Sequence, residues 1–373
     1  MWFNMVSENS RSSTGKPTDK GQVLISWRVL CEFTELSVNT HEFFGFDWLV
    51  IHQIIYNAAS LISTVNHQHS QHMLFKNAIA YRLSKPFNLS SEDLIEQLAN
   101  RSFVPCSGFK PASFGWISPI GSSEDSPLVH EAGGCFLLCA RKEEKVVPAS
   151  ALNEAMMENV SKIEFVEDRK LHANEKRSIK NNTLAELLPR ALAKSKQVMG
   201  YISPGDNLLV VGTSSEAEAE LFVNCIRDSL GSFTVVPPQV KQKPQDLFTH
   251  WLLHRKLPPN FSLGDQCDLL DIEDTSTITC RRQDLDTREI RTHIEAGKIC
   301  TRLGLRWHGD LCLAVDKELK LRQIKLERLN SDEIEDEDPI ARLDAEFANM
   351  TLEFARFLPE LFSALGGESP TGA

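Results

Sequence analysis

Asp284, Glu295 and Lys298 are the residues of this sequence whose types come nearest to catalysis. In a metal-dependent nuclease an Asp is followed along a strand by Glu-x-Lys. The carboxylates hold Mg²⁺, and the lysine assists the attacking water. Here the spacing is Glu-x-x-Lys, and Gly297 ends a helix that should carry Glu295, so the side chains do not align on one strand. Capping and packing roles fit them better. No G-x-S-x-G, H-E-x-x-H or G-x-G-x-x-G run is present, and Gly15-Lys16-Pro17-Thr18 lacks the upstream glycine of a phosphate loop. No catalytic residue, cofactor or resident metal is therefore expected. The surrounding cations point to a different chemistry. Arg281, Arg282 and Gln283 close one apolar run, Lys298, Arg302 and Arg306 recur at intervals that share a strand face, and Lys320 and Arg322 follow. That pattern is suited to meeting anions.

Strands and short turns must position these groups. Ile278 leads a strand into Arg281, and Asp286 with Glu289 predicts a capping box for a helix that carries Ile290 and Ile294 and stops at Gly297. In the next strand Ile299, Leu303, Leu305 and Trp307 take one face, with Lys298, Arg302 and Arg306 on the other. His308-Gly309-Asp310 turns the chain into Leu311, Leu313 and Val315, and a third strand is expected to carry Lys320 and Arg322 outward. The meander should thus be apolar on one side and a basic stripe on the other. Asp338-Pro339 opens a long helix whose Phe347, Met350, Phe354, Phe357 and Leu361 repeat at three- and four-residue spacing, a stripe fit to cover the apolar face. The acidic run from Asp332 to Asp338 should face solvent.

Further upstream, Phe75, Ile79, Tyr81 and Leu83 share strand parity, and Ser90 or Ser91 caps a helix with Leu94, Ile95 and Leu98. A polar helix is expected from about Ala149 to His172. Behind it, between Lys170 and Lys196, seven Lys or Arg stand against two acids. Thr183 with Glu186 predicts a capping box, and Pro189 kinks or restarts that helix. Arg190 and Lys194 would then lie one turn apart, on the face away from Leu188 and Leu192. Val198–Ile202 and Leu208–Val211 read as a hairpin.

Residues 1–72 differ in kind, with a Ser/Thr/Lys-rich opening and five of the eleven histidines. Polar residues break their apolar patch, which argues against a membrane span, and no secretory pattern is visible. They are expected to be an upstream extension, with Met73 the natural first residue. His67, His69 and His72 are read as part of it. The remaining parts are 73–148, an α+β part, 149–196, a helical protrusion, and 197–373, a second α+β part with the meander and terminal helix.

Apolar residues make up 42% of the 373, enough for a sizeable core. The nine cysteines include no C-x-x-C pair, which indicates free thiols in a reducing compartment; Cys135 and Cys139 read as packing residues on one strand face. A net charge of -11 argues superficially against nucleic acid. Charges beyond about 10 Å are screened at about 0.1 M salt, however, so an acidic exterior is compatible with a local basic groove.

Several segments are similar to the RdgC family of bacterial recombination-associated, nucleoid DNA-binding proteins. They are Met73-Leu74-Phe75-Lys76-Asn77 with Tyr81-Arg82-Leu83, Gly115-Trp116, Ala140-Arg141-Lys142-Glu143-Glu144-Lys145, Leu187-Leu188-Pro189-Arg190-Ala191, Ser229-Leu230-Gly231-Ser232, Gln283-Asp284-Leu285 and His293-Ile294-Glu295-Ala296-Gly297-Lys298. The resemblance runs in order through 73–373. It implies an α+β fold of antiparallel meanders covered by helices, an elongated subunit forming a ring-shaped homodimer around double-stranded DNA, and a cytoplasmic, nucleoid-associated protein. It also implies binding without sequence preference, antagonism of the RecA recombinase and assistance to replication-fork repair. By the same resemblance Leu187, Leu188 and Leu192 lie at a dimer contact, and Arg281 to Gln283 belong to the ring. A Mg²⁺ nuclease built on Asp284, Glu295 and Lys298 and a protein-only recombinase-interaction module are the alternative readings.

Overall fold

The computed structural model describes residues 73–121, 126–327 and 338–369. His67, His69, His72, the Gly15-Lys16-Pro17-Thr18 run and the acidic residues 332–337 lie outside them. At the centre is β1 (Asn77–Leu83). Its Asn77 and Ala78 pair with β12 (Leu321–Leu326), while Ile79 to Arg82 pair with β6 (Leu208–Val211). One strand therefore joins two halves of an antiparallel sheet. On the first side lie β2 (Ala112–Ile117), β3 (Val129–Ala132), β4 (Cys135–Val146) and β5 (Leu192–Ser203), with the short β7 (Val235–Val236) pairing to β1. On the second lie β8 (Phe261–Leu270), β9 (Thr277–Arg281), β10 (Ile299–Trp307) and β11 (Leu311–Asp316). The path runs β2-β4-β5-β6-β1-β12-β11-β10-β8-β9, leaving β9 at an edge. This is the expected α+β class with antiparallel meanders.

The two halves bury their faces differently, and the sequence pattern follows. In the first half both faces are covered. Ile79, Tyr81, Leu138, Ile202, Leu209 and Val211 pack with Leu94 of α1 (Ser91–Ala99) and Phe222 of α4 (Glu216–Leu230). Ala78, Ala80, Leu137, Tyr201 and Val210 point the other way, into the core that also holds Phe347. Such strands read as unbroken apolar runs, as in Leu208-Leu209-Val210-Val211. The second half is covered on one face only. Trp251 of α5 (Pro244–His254), Ile290 of α6 (Arg288–Glu295) and Phe354, Phe357 and Leu361 of α7 (Pro339–Ala364) pack against Cys267, Leu303, Leu305 and Leu313. The terminal helix thus takes the place its apolar stripe indicated, with the Asp338 carboxylate accepting from the Ile340 N–H at its start.

Trp116 is a fully buried anchor of the first half. Its indole N–H donates to Ser229 Oγ at 2.9 Å, and the Ser229 hydroxyl donates to the Cys225 carbonyl. Ser229→Ala leaves that N–H without its partner and is expected to cost about 1–3 kcal/mol. Urea denaturation would show this as a lower midpoint at unchanged slope.

Several local expectations are corrected. The stretch after β4 forms two helices, α2 (Ala149–Glu167) and α3 (Ala173–Leu187), joined by a turn in which Glu164 accepts from the Leu171 N–H and Lys170. Thr183 is no cap: it sits inside α3 and its hydroxyl donates to the Ile179 carbonyl one turn back. The cap is at His172, whose N–H donates to Glu175. Arg190 and Lys194 do not share a helix. Pro189, which lacks a donor, sits in a single 3-10 turn (Leu188–Arg190), after which Leu192 to Ile202 pair with β4 residue by residue. Asp286 is no cap either, since α6 starts after Thr287.

Candidate nucleic-acid interface

The exposed face of the second half holds the cations expected to form a basic stripe. A bulge in β10 between Cys300 and Arg302 places an extra residue there, so Cys300 as well as Leu303 faces the core, and Ile299 is only half-buried. Gly264 and Gly304 let β8 and β10 approach closely at the second irregularity, where a Cβ on Gly264 would lie 2.9 Å from the Gly304 backbone. Arg302 and Arg306 still point outward as anticipated, yet neither is free.

Five cations of the second half rest on carboxylates, while Lys317 and Lys325 are exposed without such a partner among the described residues. Arg302 stands in register with Asp268 on one neighbouring strand and Asp316 on the other, and bonds Asp268 at 2.7 Å. Arg306 bonds Glu327 at 2.7 Å, which pushes the guanidinium pKa up. Arg322 meets Asp316 at 3.2 Å. Lys298 donates to Asp271 and to Ser276 Oγ, both at 2.9 Å, and holds the Asp271 carboxyl below its usual range. Lys320 is not carried outward: it is buried at 8% exposure, between Glu318 at 2.6 Å and Glu216 at 3.4 Å. The five residues expected to form the basic stripe are thus held in ion pairs. A phosphate approaching any of them meets a carboxylate as closely as a cation, so they offer little net attraction.

Arg281 and Arg282 are different. Thr277, Thr279 and Arg281 point outward along edge strand β9, while Ile278 and Cys280 turn to the core. Arg282 then takes a left-handed conformation, φ +52°, which ends the strand, and the Gln283 N–H donates to the Asp265 carbonyl at 3.0 Å. Arg281, Arg282 and Gln283 are all exposed. Among the described residues neither arginine has a carboxylate partner, and two nearby acids are engaged elsewhere. Asp284 accepts from the Asp286 N–H at 2.8 Å, and Asp286 pairs with Arg255 and Arg291.

A second group of unpaired, exposed cations lies on the arm after β4: Arg177 and Lys180 on α3, Arg190 in the 3-10 turn and Lys194 on β5. Lys194 stands opposite Glu144, but Glu144 bonds Lys142 at 2.9 Å. Leu187 and Leu188 are half-buried, whereas Leu192 is 85% exposed and in register with Val146, itself 49% exposed. The arm therefore presents an apolar pair beside positive charge.

The nuclease constellation is not assembled. Lys298 is engaged by Asp271, Asp284 by the Asp286 N–H, and Glu295 is the exposed last residue of α6. Among the described residues no three His, Cys, Asp or Glu side chains gather as a metal-holding group. His130, close in sequence to Cys135 and Cys139, meets Asp344 at 3.1 Å instead, and burial pushes the Cys139 thiol up to about 12. No helix among the described residues is long and apolar enough to cross a membrane.

A family model described as "Putative exonuclease, RdgC" matches residues 73–368. The recombination-associated protein RdgC of Aeromonas hydrophila is 40% identical over 300 residues, covering 79% of this chain and 99% of that protein. The chain belongs to the RdgC family. Proteins of the same name from Tolumonas auensis and Pseudomonas aeruginosa are 39% and 36% identical, each over 79% of this chain and 99% or 98% of the relative. The RdgC relatives are thus named for recombination while the family description names an exonuclease, two chemistries that place different demands on the groups above. The RdgC match includes both clusters of unpaired cations and the Leu192–Val146 pair.

The acids were the residues that sequence reasoning missed. Asp268, Asp271, Asp316, Glu318 and Glu327 are visible in the sequence, but their partners depend on strand register. Asp316 does lie at the end of an alternating strand, on the parity opposite the apolar Leu313 and Val315, and that was a readable signal.

Proposed function

We propose that this protein is a homodimer that binds double-stranded DNA without sequence preference and acts in recombination without cutting the duplex. The observation that carries this reading is the contrast between neutralised and free cations. Arg177, Lys180, Arg190, Lys194, Arg281 and Arg282 are exposed and without a carboxylate partner among the described residues, while Lys298, Arg302, Arg306, Lys320 and Arg322 are paired. Unpaired guanidinium and ammonium groups at the surface attract phosphates, and phosphate contacts carry no sequence information, so affinity that rests on them follows backbone charge and not sequence. A self-complementary contact at Leu187, Leu188 and Leu192 joins two copies about a two-fold axis into a ring, to whose DNA-facing surface Arg281 to Gln283 belong. A ring threaded by duplex occupies DNA that the RecA recombinase would otherwise use. That accounts for antagonism of RecA and for assistance at replication forks, in a cytoplasmic protein held at the nucleoid.

Gel-shift titration on three duplexes of unrelated sequence tests the binding. Equal affinities are expected; strong preference for one duplex would replace this reading with base recognition. The family description favours a second reading, nuclease action. Supercoiled plasmid incubated with protein and Mg²⁺ is expected to stay intact. Nicking that disappears in Glu295→Gln would establish the nuclease instead. Inhibition of RecA that survives loss of Arg281 and Arg282 would point to direct protein contact.

The paired cations supply a control. Arg302→Ala leaves Asp268 without its partner on a partly buried face and is expected to lower stability by about 1–3 kcal/mol. It should leave DNA affinity unchanged at temperatures where both proteins are folded. Thermal unfolding and gel shift on the same preparation separate the two effects.

A further inference from the structure

Cys267 and Cys280 stand directly opposite each other on the antiparallel strands β8 and β9. Opposed residues point to the same side, here into the core: Cys267 is fully buried and Cys280 packs half-buried against the same cluster. The ladder type is set four residue pairs away. The Asp271 N–H donates to the Ser276 carbonyl at 2.9 Å in the same register, and hydrogen-bonded pairs alternate along a ladder, so 267 and 280 also form a pair of that type. Such pairs hold their Cα atoms about 5.5 Å apart, within the roughly 4.4–6.8 Å that a disulfide spans.

We propose that Cys267 and Cys280 are an oxidant-reactive dithiol that forms a reversible disulfide with a peroxide as the two-electron acceptor. Access assigns the roles. Cys280 lies on the edge strand, while burial keeps the Cys267 thiol protonated. The Cys280 sulfur attacks a peroxide oxygen, the O–O bond breaks, and hydroxide leaves as water with the proton from Cys280. The resulting sulfenic acid faces Cys267, whose sulfur attacks the Cys280 sulfur. The S–OH bond breaks, and the hydroxyl departs with the Cys267 proton as a second water. Two thiols and one hydrogen peroxide give one disulfide and two waters. A small-molecule dithiol reverses the bond by exchange.

The nearby Cys300 is excluded by its geometry, since it is fully buried and its Sγ donates to the Arg302 carbonyl at 3.1 Å across the bulge. The bond between Cys267 and Cys280 would fasten an edge strand, otherwise held on one side only, to its neighbour. It immediately precedes Arg281 and Arg282, but the chemistry does not depend on what those arginines bind.

The test treats the reduced full chain with hydrogen peroxide, alkylates the remaining thiols and maps the peptides by mass spectrometry. A Cys267–Cys280 linked peptide is expected, lost after dithiothreitol and absent from Cys280→Ser, with Cys139 and Cys225 still alkylated throughout. The proposal is overturned if Cys280 is recovered alkylated or as sulfinic acid without the link, or if Cys267 joins Cys300. Hydrogen exchange reads the fastening separately. The amides of 277–281 should exchange more slowly after oxidation and recover on reduction, and unchanged exchange in a protein with the link formed would refute the fastening.

Discussion

Affinity for duplex DNA is expected to fall about a thousandfold between about 50 and about 200 mM salt, if about six phosphates are engaged. The figure follows from counterion release, in which each neutralised phosphate contributes about -0.9 to the slope of log affinity against log salt. Six phosphates engaged by the whole dimer then give a slope of about -5. A protein with net charge -11 cannot reach this through diffuse attraction, so the slope must come from local groups. The Arg281→Ala, Arg282→Ala double variant removes two arginines from each subunit and is expected to shallow the slope by up to about 4 and to weaken binding by at least about tenfold, equally on all sequences. Arg302→Ala and Arg306→Ala should leave the slope alone, since those cations are already neutralised by Asp268 and Glu327. Gel shifts across a salt series measure all of this. A flat response in the native protein would remove phosphate contact as the basis of its action.

What the sequence could express was set by the range of the physics involved. Apolar periodicity is local, so the α7 stripe, the continuous runs of β1 and β6 and the helix closed by Gly297 were all legible. Caps were less so. Thr183 and Asp286 both satisfy the spacing of a capping box, yet tertiary packing started α3 and α6 elsewhere, at Ala173 and Arg288. Leu188, Leu192 and the surrounding alanines are good helix formers, so Pro189 reads locally as a kink or restart of a helix. The pairing of Leu192 to Ile202 with β4 outweighed that local preference. The charge pattern was the hardest to read. Facing direction can be counted along one strand, but neutralisation depends on which residue of a neighbouring strand stands alongside. Arg302 meets Asp268, 34 positions earlier, because of a bulge that no local pattern announces. Arg281 and Arg282 survived as candidates because an edge strand has no second neighbour to supply an acid.

Leu192→Asp is expected to separate the proposed dimer into monomers. Leu192 is 85% exposed and lies in register with the half-exposed Val146, an apolar pair that a single subunit leaves in water. In a two-fold contact each substitution occurs twice. Full burial of a leucine contributes about 1.5–3 kcal/mol, so losing two copies removes about 3–6 kcal/mol, a weakening on the order of a hundredfold to ten-thousandfold. The buried carboxylates would face each other across the axis and add repulsion. The fold itself should be unaffected, since Leu192 contributes little to either core, and unfolding curves of the variant monomer should match those of the native subunit. Sedimentation at micromolar concentration would show the change in mass. DNA affinity should fall as well, because a dimer gains from joint engagement of both subunits, and opening the Leu192 contact leaves each subunit to bind alone. If Leu192→Asp remained dimeric, the arm would not be the contact. If it became monomeric yet bound duplex as tightly as before, the cations would act within one subunit and ring closure would play no part.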